Sequence, residues 1–251
     1  MKFLHTPFRA LAALMLFLGA LVLAACTPGV FPSGTANSRL GTQWGESLDS
    51  RVSTVSLVRS DAKPMSVSTL RYTAARPGGK VINELPLAFG QVGMRVVKED
   101  GAAWPLRRTA GGNVLQGKDG ERYRLEYKNH SETQTYEIVT TVDGLDVLSG
   151  KSGSIKNRGY VLRPGAVLRI DGFRKSADEV AAFRFSSVAE SYAANSDAGS
   201  VANVGVIGTA VFRLIDPKAT TAPGCGDGPC AFPQDAGKTT GGYAPPPNYR
   251  N

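Results

Sequence analysis

Arg122-Tyr123-Arg124-Leu125-Glu126-Tyr127-Lys128 decides the fold class. Tyr123, Leu125 and Tyr127 alternate with Arg122, Arg124, Glu126 and Lys128, the two-residue period of a half-buried β-strand. Asn129-His130-Ser131-Glu132 is a turn sequence. Beyond it, Thr135 to Val142 is rich in β-formers and places Tyr136, Ile138, Thr140 and Val142 on one face.

Similar short stretches lie on both sides. Residues 51–59 alternate through Val52, Val55 and Leu57, with one slip of register. Val67–Tyr72 predicts a second strand, and Leu85–Val97 two more, broken near Gly90 or Gly93. Asp143-Gly144 and Ser149-Gly150 are turn sequences. Tyr160-Val161-Leu162 and Ala166–Ile170 flank Arg163-Pro164-Gly165, which suits a type II turn. Ser176-Ala177-Asp178-Glu179 resembles a capping box and predicts one short helix. Phe183–Val188 and Asn203–Leu214 complete the strands, with Gly205 and Gly208 permitting a bulge or close packing.

Many short strands at near-regular spacing predict an all-β fold, an antiparallel sandwich or Greek-key barrel. The expected organisation is a flexible Pro/Gly/Ser-bearing tether over 26–45 and a β domain over 46–216. Leu40–Glu46 marks the domain entrance. Two sandwich-like halves meeting near Gly111-Gly112 are an alternative to one domain. The Pro/Gly-rich segment 217–251 is expected to be a disordered or polyproline-like tail.

The amino terminus has the three parts of an export signal. Lys2 and Arg9 form a positive region, Ala10–Ala25 is apolar, and small residues follow. The run is short for a membrane span of about 20 apolar residues. Leu23-Ala24-Ala25-Cys26 resembles the lipobox of bacterial lipoproteins. That resemblance implies a signal peptide over 1–25, cleavage after Ala25, a diacylglyceryl thioether on Cys26 and acylation of the new amino terminus. Several acyl chains make a stable membrane anchor where one alone is marginal. Thr27 stands where an Asp would favour inner-membrane retention, so the resemblance implies the outer membrane, facing the periplasm.

Leu40–Glu46, Val142–Val147, Arg158-Gly159-Tyr160, Ile170–Arg174, Phe183-Arg184-Phe185 and Asn203–Gly208 together resemble a family of uncharacterised Gram-negative lipoproteins and exported proteins. The resemblance covers most of residues 40–214 and supplies no catalytic residue.

The net charge of +8 falls to +6 once Lys2 and Arg9 leave with the leader. Such a charge favours anionic lipid, lipopolysaccharide or acidic polymers. Basic residues are densest from Lys151 to Lys175, with Asp171 the one acid among them. Arg158, Arg163, Arg174 and Lys175 are the candidate ligand-binding residues, expected near turns and in solvent. Nucleic acid is not an expected partner, since no nucleic-acid-binding motif is present. With Cys26 lipidated, Cys225 and Cys230 remain. An oxidising periplasm and the flexible Gly224–Cys230 segment favour a disulfide between them, stabilising by roughly 2 kcal/mol. Reduced thiols and a metal or redox role are the alternatives.

His130, the one His of the mature chain, sits in a polar turn with no nucleophile elbow elsewhere. Asp143 and Asp146 could pair for acid/base or calcium chemistry, but their sequence lacks the oxygen-ligand density of an EF-hand loop. Turn formation explains both. Gly205 and Gly208 make no phosphate loop. Trp44 and Trp104 suit core or edge packing. No catalytic residue, metal or cofactor is assigned. The sequence therefore predicts a lipid-anchored envelope protein with a non-enzymatic binding or structural module, whose partner is an anionic envelope component or an envelope protein. An envelope hydrolase acting on glycan or peptide, or a surface adhesin, is the alternative.

Overall fold

The computed structural model describes residues 38–215, 228–231 and 242–249. The leader, Cys26, most of the expected tether and Cys225 lie outside the described residues. The strands in chain order begin β1 (Gly41–Asp49), β2 (Ser53–Thr54), β3 (Val58–Arg59), β4 (Ser66–Thr73), β5 (Lys80–Ile82) and β6 (Leu85–Leu87). They continue with β7 (Val92–Val97), β8 (Leu106–Thr109), β9 (Gly112–Gln116), β10 (Arg122–Asn129), β11 (Thr135–Val142) and β12 (Leu145–Asp146). The last are β13 (Tyr160–Leu162), β14 (Val167–Ile170), β15 (Gly172–Arg174), β16 (Glu179–Ser186), β17 (Val206–Ile215) and β18 (Cys230–Ala231).

These strands form two packed sheets, an all-β sandwich. The smaller runs β1-β16-β10-β7-β6, with β14 also on β10 and β15 also on β16. The larger runs β2-β18-β13-β11-β17-β4-β9-β8-β5, with β12 on β11 and β3 on β17. Pairing is antiparallel except for β4–β9 and β2–β18. The inward rows are those the alternation predicts: Tyr123, Leu125 and Tyr127 from β10 meet Tyr136, Ile138 and Val142 from β11 in one core. Full burial of such a side chain contributes about 1.5–3 kcal/mol. An aromatic stack runs through that core, with Tyr123 4.3 Å from Phe185 and 5.3 Å from Phe183, ring centre to ring centre.

Several expectations need correction. β1 begins at Gly41, inside the expected tether, because Leu40, Gly41 and Thr42 are buried and β1 pairs with β16 from Gly41. Residues 51–59 yield only the two-residue strands β2 and β3. Gly111 is in the tight turn from β8 and Gly112 opens β9, so neither marks a boundary between halves; the described residues form one compact unit. The short helix at Ser176–Glu179 does not form. Ser176 Oγ does accept hydrogen bonds from the Asp178 and Glu179 backbone. The next residues, Val180 to Phe183, are fully buried in a strand paired on both edges, and that burial overrides the cap. Among the described residues the helical segments are three 3-10 turns, at Ala88–Gly90, Tyr192–Asn195 and Val201–Asn203, and none is long and apolar enough to cross a membrane. The described parts of 217–251 are seated on the domain rather than disordered. β18 pairs with β13 and β2, and Ala244 is buried in the core.

Candidate functional site

Asp143 lies at the tip of the β11–β12 hairpin. Asp143 and Gly144 both have positive φ, 54° and 79°, the geometry of a two-residue type I′ turn, which Asp-Gly favours. The turn aims the carboxylate inward, where it is 1 % exposed. Oδ2 accepts from the Thr42 backbone N–H at 2.8 Å. Oδ1 accepts from the Tyr72 hydroxyl at 2.5 Å and the Gly205 N–H at 2.8 Å. Thr42 Oγ1 lies 2.7 Å from Tyr72 Oη and 2.6 Å from Tyr123 Oη, which extends the network into the core. Burial pushes the Asp143 carboxyl up to about 6, against the opposing pull of Tyr72, Gly205 and Thr42. Burial, then the Asp143 charge, raises Tyr72 and Tyr123 well above the ordinary phenol range. This node ties β1, β4, β10, the β11–β12 turn and the entry to β17 together.

Asp146 is also buried, and burial raises its carboxyl. Its Oδ1 accepts from the Ser149 N–H and hydroxyl at 2.7 and 2.6 Å, and its Oδ2 has no hydrogen-bond partner among the described residues. The two acids therefore serve separate turns. His130 is exposed in its turn, with Nε2 3.1 Å from Glu84 Oε1. Trp104 packs edge-on against Phe185, and half-buried Trp44 lies 4.9 Å from Tyr192 between ring centres. Among the described residues, no cluster of three or more His, Cys, Asp or Glu side chains could hold a metal ion.

The basic candidates do not form one patch. Arg174 is 1 % exposed instead of solvated. β15 turns its side chain inward, where Nε donates to Tyr160 Oη at 3.0 Å, Nη1 to Ser50 O at 2.5 Å and Nη2 to Ser50 Oγ at 2.8 Å. Lys175 is engaged by Glu179 at 3.1 Å and by Ser47 Oγ. Arg158 and Arg163 are half-buried, and each has a partner of its own. Arg169 pairs with Glu126, which also holds Arg95. Lys151 and Lys156 remain exposed, on the loop after β12.

That loop borders a groove of about 340 Å³ on the outer face of the larger sheet. The floor is a cross-strand row, Val139 on β11, Ala210 on β17 and Val67 on β4. Ser154, Ile155, Ala202 and Asn203 also line it, and no charged residue does. Val67, at the β4 end of that floor, and Ile155 are exposed. Arg59 holds the loop in place, a role the sequence did not reveal. Its guanidinium lies 3.7 Å over the Phe212 ring, bonds the buried Glu137 at 2.5 Å, and donates to the Ile155 and Asn157 carbonyls at 2.8 and 2.5 Å. The available signal was Val139 and Ala210, apolar residues on the strand face opposite the core.

Neither a protein-family model, nor a curated protein, nor a solved structure matches this chain.

Proposed function

We propose that this chain is an outer-membrane lipoprotein, anchored through Cys26, whose β-sandwich is a non-enzymatic module that binds an anionic envelope component carrying an apolar group. The observation that carries this reading is the uncharged apolar groove beside the exposed Lys151 and Lys156. Apolar lining rewards burial of an acyl or aliphatic group, and ammonium groups on the bordering loop favour a negative head group. This moves the binding surface from Arg158, Arg163, Arg174 and Lys175 to the loop that Arg59 clamps.

The test is binding of residues 27–251 to lipopolysaccharide, anionic vesicles, neutral vesicles and peptidoglycan across a salt series. The expected result is binding to an anionic amphiphile that weakens as salt screens the lysines. Val67→Asp should reduce it tenfold or more, and Lys151→Glu with Lys156→Glu should remove its salt dependence. Binding to none of these probes, or equal binding by the variants, overturns the proposal. The anchor is tested separately: a clickable fatty acid should label the wild-type precursor and not Cys26→Ser. The proposed Cys225–Cys230 disulfide should appear as a two-proton mass deficit under non-reducing conditions, and two freely alkylated thiols refute it.

A further inference from the structure

The segment Gly242–Tyr249 holds three consecutive prolines, Pro245, Pro246 and Pro247. Each ring restricts φ to about −65°, so such a run is pre-extended in a polyproline-like form. Its contacts with the sandwich run mainly through the backbone. The Ala244 N–H donates to Arg174 O at 2.8 Å, the Tyr192 hydroxyl to Pro245 O at 2.6 Å, and the Asn248 N–H to Asn195 O at 2.7 Å. One small side chain enters the core, that of Ala244, at 4 % exposure. The seat is shaped for it. Gly150, at φ +65°, lies beneath Ala244, and a Cβ there would come within 2.9 Å of the Ala244 Cα and Cβ and 2.7 Å of Tyr192 Oη. Tyr192 in turn packs on Trp44 and Phe173 at 4.9 and 4.6 Å between ring centres. An aromatic shelf with a hydroxyl aimed at a proline-segment carbonyl is how grooves for proline-rich peptides are built.

We propose that this seat is a binding groove for an extended, proline-bearing segment, and that its occupant in trans is residues 242–249 of a second copy of this chain. The segment on the seat defines the occupant: a small residue followed by prolines, recognised through main-chain atoms. Ten residues, 232–241, join it to β18, a connection that extended chain stretches to about 33–36 Å. That reach allows the segment to leave its own seat and enter a neighbour's. Reciprocal exchange makes the same contacts twice and closes a two-fold dimer. The inference is independent of the apolar groove and its ligand.

The experiment uses the full chain with Ala244→Glu, which places a charge where a buried methyl sits and opens the seat. A fluorescein-labelled peptide of residues 241–251 is titrated against it. The expected result is saturable binding at least tenfold tighter than to the wild-type chain, whose own tail competes, and none for the peptide bearing Ala244→Glu. A chain ending at Gly241 is the second receptor, so a folding defect in Ala244→Glu leaves the test intact. Native mass spectrometry of the wild type should show a concentration-dependent dimer that Ala244→Glu lacks. No peptide binding to either opened receptor, equal binding to wild type and variant, or a dimer undiminished by Ala244→Glu overturns the proposal.

Discussion

Asp143 and Arg174 are both buried charged residues without an oppositely charged partner among the described residues, and the sandwich accommodates them differently. Asp143 is met by three donors fixed on three distant segments, at Thr42, Tyr72 and Gly205. Arg174 is met by the Ser50 and Tyr160 hydroxyls and the Ser50 and Ser176 carbonyls. A buried N–H has one hydrogen to give and loses its bond outright when its acceptor goes. A carbonyl has a second lone pair and a hydroxyl can rotate to another partner. The carboxylate is therefore the harder of the two to remove, although the guanidinium is the larger group.

The largest expected effect breaks the carboxylate side. Asp143→Ala leaves the buried Thr42 N–H and the half-buried Gly205 N–H without their acceptor and turns the Tyr72 hydroxyl back on Thr42 Oγ1 alone, and should cost about 3 kcal/mol in urea unfolding. Asp143→Asn, which keeps one acceptor oxygen, should cost about 2 kcal/mol. A loss below 1 kcal/mol for the alanine variant would mean that the donors find other partners.

Protonation tests the same side more gently. Burial raises the folded carboxyl to about 6 against 3.8 for an ordinary aspartate, so the folded state binds the proton more tightly than the unfolded chain. The stabilisation is fully present below pH 3.8 and lost as pH rises through 6, an effect of about 3 kcal/mol. Asp146, raised in the same direction, adds to it. Glu46 acts oppositely. Burial tends to raise its carboxyl, but hydrogen bonds from Arg184 and Arg122 outweigh that and hold it at about 2 against 4.5. Its contribution is present above 4.5 and lost as pH falls through 2. Melting temperatures of wild type and Asp143→Asn at pH 4.5 and 7.5 isolate the Asp143 share: the wild type should lose more stability than the variant on going to pH 7.5.

On the guanidinium side, Arg174→Met keeps much of the volume and removes the charge. Removing a buried charge that has no charged partner also removes its desolvation cost, which offsets part of the lost hydrogen bonding, so the expected cost is about 1–2 kcal/mol in the same urea titration. A cost equal to that of Asp143→Ala would erase the asymmetry. The smallest effect belongs to Arg51→Ala. The Arg51–Asp178 pair is at the surface, its side chains 84 % and 66 % exposed, and its loss should stay below about 0.5 kcal/mol.

The same asymmetry shows in what could be foreseen from sequence. Asp143 followed by Gly144 announces a turn, because the pair tolerates positive φ. Its three donors lie far away in the chain, so no local pattern could name them. From sequence Arg174 is expected in solvent, because it precedes Lys175 and a Ser-Ala-Asp-Glu turn. Its strand is three residues long, too short for alternation to tell the inner face from the outer. The apparent cap at Ser176 was real as a local hydrogen-bonding pattern but could not reveal that Val180–Phe183 occupies a central strand.

The sequence by itself determined the inward row of β10 and β11, the Asp143-Gly144 and Arg163-Pro164-Gly165 turns and the all-β class, because strand periodicity and turn chemistry act between residues a few positions apart. It also supplies the grounds for the proposed anchor at Cys26, which rests on local sequence alone. Tertiary structure alone decided that Arg174 is buried, that Arg59 clamps a loop over Phe212, that Val67, Ala210 and Val139 align as a groove floor, and that Ala244 seats over Gly150. Each depends on which segments far apart in the chain become neighbours, and side chains on strands of either sheet acquire their surroundings only when those strands pair and the sheets close on one core.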